Sequence, residues 1–147
     1  MTKVLLADDN EFCRDMLACR LVRHGYEVIT AADSRAVLVA ARGQRPDLIL
    51  LDLDMPVMDN RAAVRSLKLD PRTFRIPVIA LAAEASLEKV TQAAAEGCQA
   101  CEAKPVVLRR LLERIEEALG AKKTKANRAA AEVPLSTRAA QRPRGFI

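Results

Sequence analysis

Acidic side chains stand at the ends of two short apolar runs, where they could form a reactive site. Asp8 and Asp9 directly follow the first of these runs, Val4–Ala7. Asp52 directly follows the second, Leu48–Leu51. Burying an unpaired charge carries a large free-energy cost, so carboxylates at such positions need a chemical reason.

Phosphoryl transfer is the chemistry that suits these residues. Three close carboxylates repel one another, and a hard divalent cation such as Mg²⁺, which prefers oxygen ligands, relieves that repulsion. Lys104, which precedes Pro105, could bring an ammonium group to the same place. Phosphoryl transfer depends on positioning and on charge neutralisation. Asp52 would attack phosphorus, and the product would be an acyl phosphate.

The segments that must position these residues alternate between two sequence patterns. Short apolar runs predict strands, and apolar residues at helical spacing predict helices. The predicted strands cover residues 4–7, 26–30, 48–51, 76–82 and 100–103. The predicted helices cover residues 11–24, 34–43, 60–68, 86–97 and 106–119. In the first helix, the residues expected to face the core are Phe12, Met16, Leu17 and Leu21.

Five repeats of strand and helix predict an α/β fold. Its expected form is a doubly wound, five-stranded parallel sheet with helices on both faces. In such sheets, ligands bind beyond the carboxyl ends of the strands, where the strand order reverses. If the first and third strands are neighbours, Asp8, Asp9 and Asp52 converge at one crevice.

The chain has 147 residues, which fits one domain, but its charge is divided unevenly. Residues 1–120 contain 17 basic and 18 acidic residues, for a net charge of −1. Residues 121–147 contain seven basic residues and one acidic residue, for a net charge of +6. This second segment is poor in large apolar residues and too short to fold alone. We therefore expect a domain over residues 1–120 and a basic, disordered tail over residues 121–147.

Membrane insertion and secretion are not expected. No apolar run is long enough to span a bilayer, and the first residues, MTKVLLADD, lack the apolar region of a signal peptide. Cytoplasmic residence follows, and the four cysteines would be reduced thiols there. Cys98 and Cys101 have the spacing of a zinc or redox pair, but no second such pair exists, so neither role is expected.

Four separated segments together resemble a known family. LLADDNE, DLILLDLDMPVMDN, IPVIALAA and AKPV stand in the order and at the spacing of bacterial two-component response regulator receiver domains. The similarity runs from about residue 3 to residue 119. It implies a flavodoxin-like, CheY-like (βα)5 fold with strand order 2-1-3-4-5.

The resemblance also implies a role for each acid of the crevice. By position, Asp52 matches the phosphoacceptor of the family. Asp8 and Asp9 match the acidic pair that helps Asp52 to hold Mg²⁺. Asp54 matches the residue whose backbone carbonyl completes the metal site.

Lys104 matches the lysine that contacts the phosphoryl group, and Pro105 matches the proline that follows a cis peptide bond. Two switch positions depart from the family pattern. Ala82 stands where Thr or Ser supplies a hydroxyl to the phosphoryl group, and Cys101 stands where an aromatic ring swings inward on activation. The chemistry is therefore complete in the sequence, whereas the usual switch lacks both of its parts.

These features predict a single-domain response regulator rather than an enzyme. It would accept a phosphoryl group from a histidine kinase or a histidine phosphotransfer protein and assist its own phosphorylation and dephosphorylation. Its output would be contact with a downstream protein that the sequence does not identify.

Two other functions fit parts of the sequence. Ala82 and Cys101 favour a receiver-like binding module that is insensitive to phosphorylation. The segment LDLDMPV loosely resembles the nucleophile motif of haloacid-dehalogenase-type phosphatases, but such enzymes need a later acidic pair, and none follows Lys104 in a loop. Nucleic-acid binding is not expected of a domain with a charge of −1, although the basic tail could add weak, salt-sensitive contacts.

Overall fold

The computed structural model describes residues 1–55 and 60–131, and for residues 60–61 and 121–131 it describes the backbone alone. The strands are β1 Lys3–Ala7, β2 Glu27–Ala31, β3 Leu48–Asp52, β4 Val78–Ala82 and β5 Ala100–Ala103. The helices are α1 Glu11–Arg23, α2 Ser34–Gln44, α3 Asn60–Leu69, α4 Leu87–Glu96 and α5 Leu108–Ala131. The predicted order of strands and helices is therefore confirmed.

The five strands form one parallel sheet in the order β2-β1-β3-β4-β5, as expected from the sequence. The register between β1 and β3 pairs Ala7 with Leu51. Asp8 follows Ala7 and Asp52 follows Leu51, so the two acids stand at the same level of the sheet. Register and strand order together bring the two acids to one edge.

Two layers of apolar side chains cover the two faces of the sheet. Alternate residues of a strand point to opposite faces, so Leu5 and Ile49 belong to one buried cluster and Leu6 and Leu50 to the other. The first cluster includes residues of α2, α3 and α4, and the second includes residues of α1 and α5. Each fully buried Leu or Ile contributes about 1.5–3 kcal/mol. Aliphatic packing therefore holds the strand ends in place.

Short polar residues and glycines set the helix ends. The Asn10, Asp33 and Ser86 side chains each accept a hydrogen bond from a backbone N–H in the first turn of the helix that follows. Gly25 and Gly97 have positive φ values of 90° and 110° after α1 and α4. These are the helix boundaries that the sequence predicted at these positions.

One face of α1 differs from the expectation. Leu17 and Leu21 are buried as predicted, but Phe12 is 72% exposed and Met16 is 41% exposed. A helix turns by about 100° per residue, so Phe12 lies on the side opposite Leu21. The expected four-residue core stripe is therefore wrong, and α1 carries a second apolar stripe that faces outward.

The last helix is longer than the sequence pattern indicated. Core contacts end near residue 119, where Ala118 is buried and Leu119 is partly buried, but α5 continues through Ala131. Residues 121–131 are mostly Ala and Lys, which are strong helix formers, and a helix that already exists extends easily. The helical backbone of residues 121–131 differs from the disorder that the sequence led us to expect there. Residues 132–147 lie outside the described part of the chain, and the domain boundary at residue 120 stays a prediction.

No helix in the described ranges has both the length and the apolar character needed to cross a bilayer.

An acidic residue joins α2 to the turn after α3. The Asp70 side chain is only 12% exposed and accepts hydrogen bonds from Arg42 Nε at 3.0 Å, Arg72 Nη2 at 3.0 Å and the Arg72 backbone N–H at 2.8 Å. Hydrogen bonds from Arg72, followed by the one from Arg42, hold the pKa of the Asp70 carboxyl below its ordinary value.

We expect Asp70→Asn to lower the melting temperature by a few degrees at pH 7. A carboxyl whose pKa is lower in the folded state stabilises the fold above its unfolded pKa, and it loses that effect as the pH falls through the folded value. The difference between the proteins should thus persist down to about pH 4 and shrink below it. Thermal melts from pH 7 to pH 2.5 test this, with Asp15→Asn at an exposed site of α1 as control. A difference that does not depend on pH would contradict it.

Candidate functional site

Three carboxylates meet beyond the carboxyl ends of β1 and β3. Asp8 and Asp52 are buried, Asp9 is exposed, and one carboxylate oxygen from each lies within 4.8 Å of the others. The strand register produces this cluster, because Ala7 pairs with Leu51 immediately before the acids. The convergence that the sequence predicted for Asp8, Asp9 and Asp52 is present in the structure.

Lys104 reaches the cluster from β5. Its Nζ lies 2.7 Å from Asp52 Oδ1 and 3.9 Å from Asp54 Oδ2. The Lys104 backbone N–H donates to the Ala82 carbonyl at 2.8 Å, which fixes the start of the loop, and the peptide bond between Lys104 and Pro105 is cis. Burial acts to lower the pKa of Lys104, but the hydrogen bond to Asp52 and the nearby carboxylates raise it by more. The pKa of Lys104 therefore lies above its ordinary value. Lys104 is therefore a firmly charged cation.

The two oxygens of Asp52 have different surroundings. Oδ1 accepts from Lys104 Nζ at 2.7 Å and from the Asp54 backbone N–H at 2.9 Å. Oδ2 is buried and has no hydrogen-bond partner among the residues that the structure describes. Buried acceptors are almost always hydrogen-bonded, so an unpartnered carboxylate oxygen indicates a group that binds a ligand. Oδ2 is free to bond to a metal ion or to phosphorus.

Asp8 carries part of the free-energy cost of the cluster. Burial raises the pKa of its carboxyl, the hydrogen bond from the Asn10 backbone N–H opposes that rise, and the charge of Asp52 adds to it. Arg14 Nη1 donates to the Asp8 backbone carbonyl at 2.9 Å rather than to the carboxylate. Three carboxylates and one close ammonium group leave the cluster with an excess of negative charge. The atoms that the carboxylates offer as ligands are all oxygen. This donor set fits Mg²⁺.

Asp54 makes a contact that the sequence did not indicate. Its Oδ2 accepts a hydrogen bond of 2.6 Å from the Ala83 backbone N–H, and its Oδ1 lies 3.8 Å from Lys89 Nζ in α4. Asp54 lies far from Ala83 and Lys89 in the chain, so no sequence spacing indicates these contacts. Only the packing of β3 beside β4 brings these residues together. The proposed role of the Asp54 carbonyl as a metal ligand stays a prediction.

The two switch positions have the surroundings that their places in the sheet impose. Ala82 ends β4 and is fully buried, and no hydroxyl is present there. Cys101 is half-buried in β5, and burial raises the pKa of its thiol. Neither residue can make the hydroxyl and aromatic contacts that the resemblance implies at these positions.

Comparison with known proteins agrees with this arrangement. The sequence model of one family, the response regulator receiver domain, matches residues 4–116. The chain is 34% identical over 121 residues to the polar-differentiation response regulator DivK of Brucella ovis, and the match covers 82% of this chain and 98% of that protein.

Solved structures with the same fold include two receiver proteins. The chemotaxis protein CheY4 of Vibrio cholerae has a TM-score of 0.76 and 35% identity, and the match covers 80% of this chain and 98% of that one. A CheY-like response regulator receiver domain protein of Methanospirillum hungatei has a TM-score of 0.76 and 29% identity, with 85% and 98% covered. In both cases, the match takes in almost all of the known chain.

We expect Mg²⁺ to raise the melting temperature and Asp9→Asn to weaken that effect. An ion that binds only the folded state stabilises it by about 2.7 kcal/mol at a free concentration of 100 times Kd. Removing the charge of Asp9 leaves one anionic ligand fewer, so the midpoint of a Mg²⁺ titration should move to a higher concentration by about tenfold or more. Asp15→Asn removes a charge from an exposed site and is the control. Equal midpoints for Asp9→Asn and wild type would remove Asp9 from the metal site.

Proposed function

The chain belongs to the response regulator receiver domain family, and from this premise we propose that it accepts a phosphoryl group on Asp52 in a phosphorelay. The observation that carries this proposal is the buried, unpartnered Oδ2 of Asp52 beside two further acids and Lys104. A structural carboxylate would have its acceptors satisfied. This one is held through Oδ1 and keeps Oδ2 free.

The proposed step is the transfer of a phosphoryl group from a phosphohistidine. A lone pair of an Asp52 carboxylate oxygen forms a bond to phosphorus, the P–N bond breaks, and its electron pair stays on the imidazole nitrogen of the donor. The product is an acyl phosphate on Asp52. The Lys104 ammonium group lies 2.7 Å from Asp52 Oδ1, so it can stabilise the negative charge of the phosphoryl oxygens after transfer.

Mg²⁺, when bound, would supply positive charge for the same oxygens. Asp8, Asp9 and Asp52 are the side chains that would hold it, together with the backbone carbonyl of Asp54. The raised pKa of Asp8 supports this arrangement, because the acid is placed where burial and a like charge disfavour ionisation without a cation.

A protein partner is supported by exposed apolar side chains that lie near the acids and Lys104 along the chain. Phe12, in the first turn of α1, is 72% exposed, and Met16 lies one turn further along the same stripe. Val107, three residues after Lys104, is 56% exposed. These exposed apolar groups lie close in the chain to the acids and to Lys104, so they are available for contact with a protein partner. The proposed partner is a cytoplasmic histidine kinase or histidine phosphotransfer protein, and a further protein would receive the signal.

A phosphorylation-insensitive binding module is the second candidate. The observation that favours it is Ala82, which is buried at the end of β4 and offers no hydroxyl to a phosphoryl group. In this case, partner binding would be equal with and without phosphate.

Asp52→Asn should abolish phosphorylation while preserving the fold, because the two side chains have nearly the same shape. The measurement is intact mass after incubation with acetyl phosphate and Mg²⁺, which reports the gain of one phosphoryl group. Asp15→Asn, at an exposed site, should label like the wild type. Labelling of Asp52→Asn at the wild-type rate would show that another residue is the acceptor.

Phe12→Ser should separate docking from chemistry. Because Phe12 is exposed, its loss should leave labelling by acetyl phosphate unchanged but slow transfer from a phosphorylated histidine protein by about tenfold. The donor is the kinase or phosphotransfer protein that labels the wild-type chain fastest. Val39→Ser, at a 66% exposed position of α2, is the control and should leave transfer unchanged. Equal rates for Phe12→Ser and wild type would place the docking surface elsewhere.

A further inference from the structure

We propose that the Asp54 carboxylate positions the loop after β4, in place of the hydroxyl that Ala82 lacks. The loop begins at Ala83, whose backbone N–H donates to Asp54 Oδ2 at 2.6 Å. Hydrogen bonds to an ionised acceptor are shorter and about twice as strong as neutral ones, and 2.6 Å is short even for such an N–H···O bond. The inference rests on the proposed function, because the position matters only if Asp52 is phosphorylated.

The contact continues a chain of bonds that starts at the proposed acceptor. Asp52 Oδ1 accepts the backbone N–H of Asp54 at 2.9 Å, so the acceptor carboxylate holds the main chain of Asp54. The side chain of Asp54 then holds Ala83. The orientation of the Asp52 carboxylate and the position of the loop are therefore linked through one residue.

Two lysines keep the Asp54 carboxylate in place. Lys104 Nζ lies 3.9 Å from its Oδ2 and Lys89 Nζ lies 3.8 Å from its Oδ1. Lys89 is in the first turn of α4, so the carboxylate connects β3, the start of the loop and the helix that the loop leads into. The Ala82 carbonyl accepts the backbone N–H of Lys104 at 2.8 Å, which fixes the same corner from β5.

The Asp54 carboxylate would hold the loop before phosphorylation, whereas a hydroxyl at position 82 would hold it afterwards. A hydroxyl at position 82 that draws the loop inward by bonding to a phosphoryl group would fix the loop only after phosphorylation. The Asp54 carboxylate is present beforehand, so it fixes the loop in the unphosphorylated protein. Asp54 is thus a positioning residue, and the loop is attached to the site before a phosphoryl group is added.

Amide hydrogen exchange of the full chain tests this at Ala83, with Mg²⁺ and beryllium fluoride as the phosphoryl mimic. In the wild type, Ala83 should be protected equally with and without the mimic. In Asp54→Ala, its exchange should be faster by roughly tenfold in both states, because a bond to a charged acceptor is lost. Asp54→Asn keeps an acceptor oxygen without the charge and should give an intermediate rate. Glu88→Ala removes an exposed acid of α4 and should change nothing.

The double variant Asp54→Ala with Ala82→Thr separates positioning from general stability. The new hydroxyl should restore protection of Ala83 only when the mimic is bound, which loss of a merely structural contact would not produce. The proposal fails if Ala83 exchanges equally fast in the wild type and in both Asp54 variants, or if the wild type gains protection only with the mimic. Labelling of Asp52 by acetyl phosphate, measured on the same proteins, tests the proposed function separately.

Discussion

Repulsion among three carboxylates is the constraint on which the site depends. Asp8 and Asp52 have carboxylate oxygens within 4.8 Å of each other, and two charges at that distance repel by about 3 kcal/mol at an effective dielectric constant of about 20. Lys104, at 2.7 Å from Asp52 Oδ1, offsets part of this repulsion and leaves the rest for an added cation. The fold therefore retains a locally unfavourable arrangement, as active sites commonly do. The two aliphatic layers of the sheet supply the stability that holds it.

The strand order turns that constraint into a usable geometry. Because β1 lies beside β3, and Ala7 pairs with Leu51, the acids leave the sheet at one level and cannot move apart without breaking the central ladder. A slip of one residue would move Leu51 from the first buried cluster to the second and would bring Asp52 or Asp47 into a position that an apolar residue occupies. Burying a charged side chain there carries a large free-energy cost, so the acids at the two ends of Leu48–Leu51 help to fix the register and the place of the Asp52 carboxylate.

Much of the fold and most of the acid cluster could be predicted, because both depend on local patterns. Apolar runs indicate the buried strands, and Asp33 and Ser86 indicate helix starts through their own hydrogen bonds to the backbone. Predictions failed where the decisive information is not local. Helical spacing alone does not show which apolar stripe of α1 faces the sheet, so the expectation that Phe12 faces the core is wrong. The contact between Asp54 and Ala83 depends on strand packing, and no spacing in the sequence encodes it.

The residues of the proposed chemistry and those of the proposed switch lie in different parts of this molecule. The proposed acceptor Asp52, the acidic pair and Lys104 lie at strand ends, which the two apolar clusters hold in place. The resemblance places the switch at positions 82 and 101, where Ala and Cys stand instead of a hydroxyl residue and an aromatic residue. Losing the hydroxyl removes an attraction that acts only in the phosphorylated state. The bond from Ala83 to Asp54 supplies an attraction that acts already in the unphosphorylated state.

A ligand shifts a conformational equilibrium only by its difference in affinity for the two states. If Asp52 is phosphorylated as proposed, the loop is already attached to the site, so the phosphoryl group would gain little by moving it. On this proposal, the signal would reach a partner chiefly through the charge that the phosphoryl group adds to the acidic cluster.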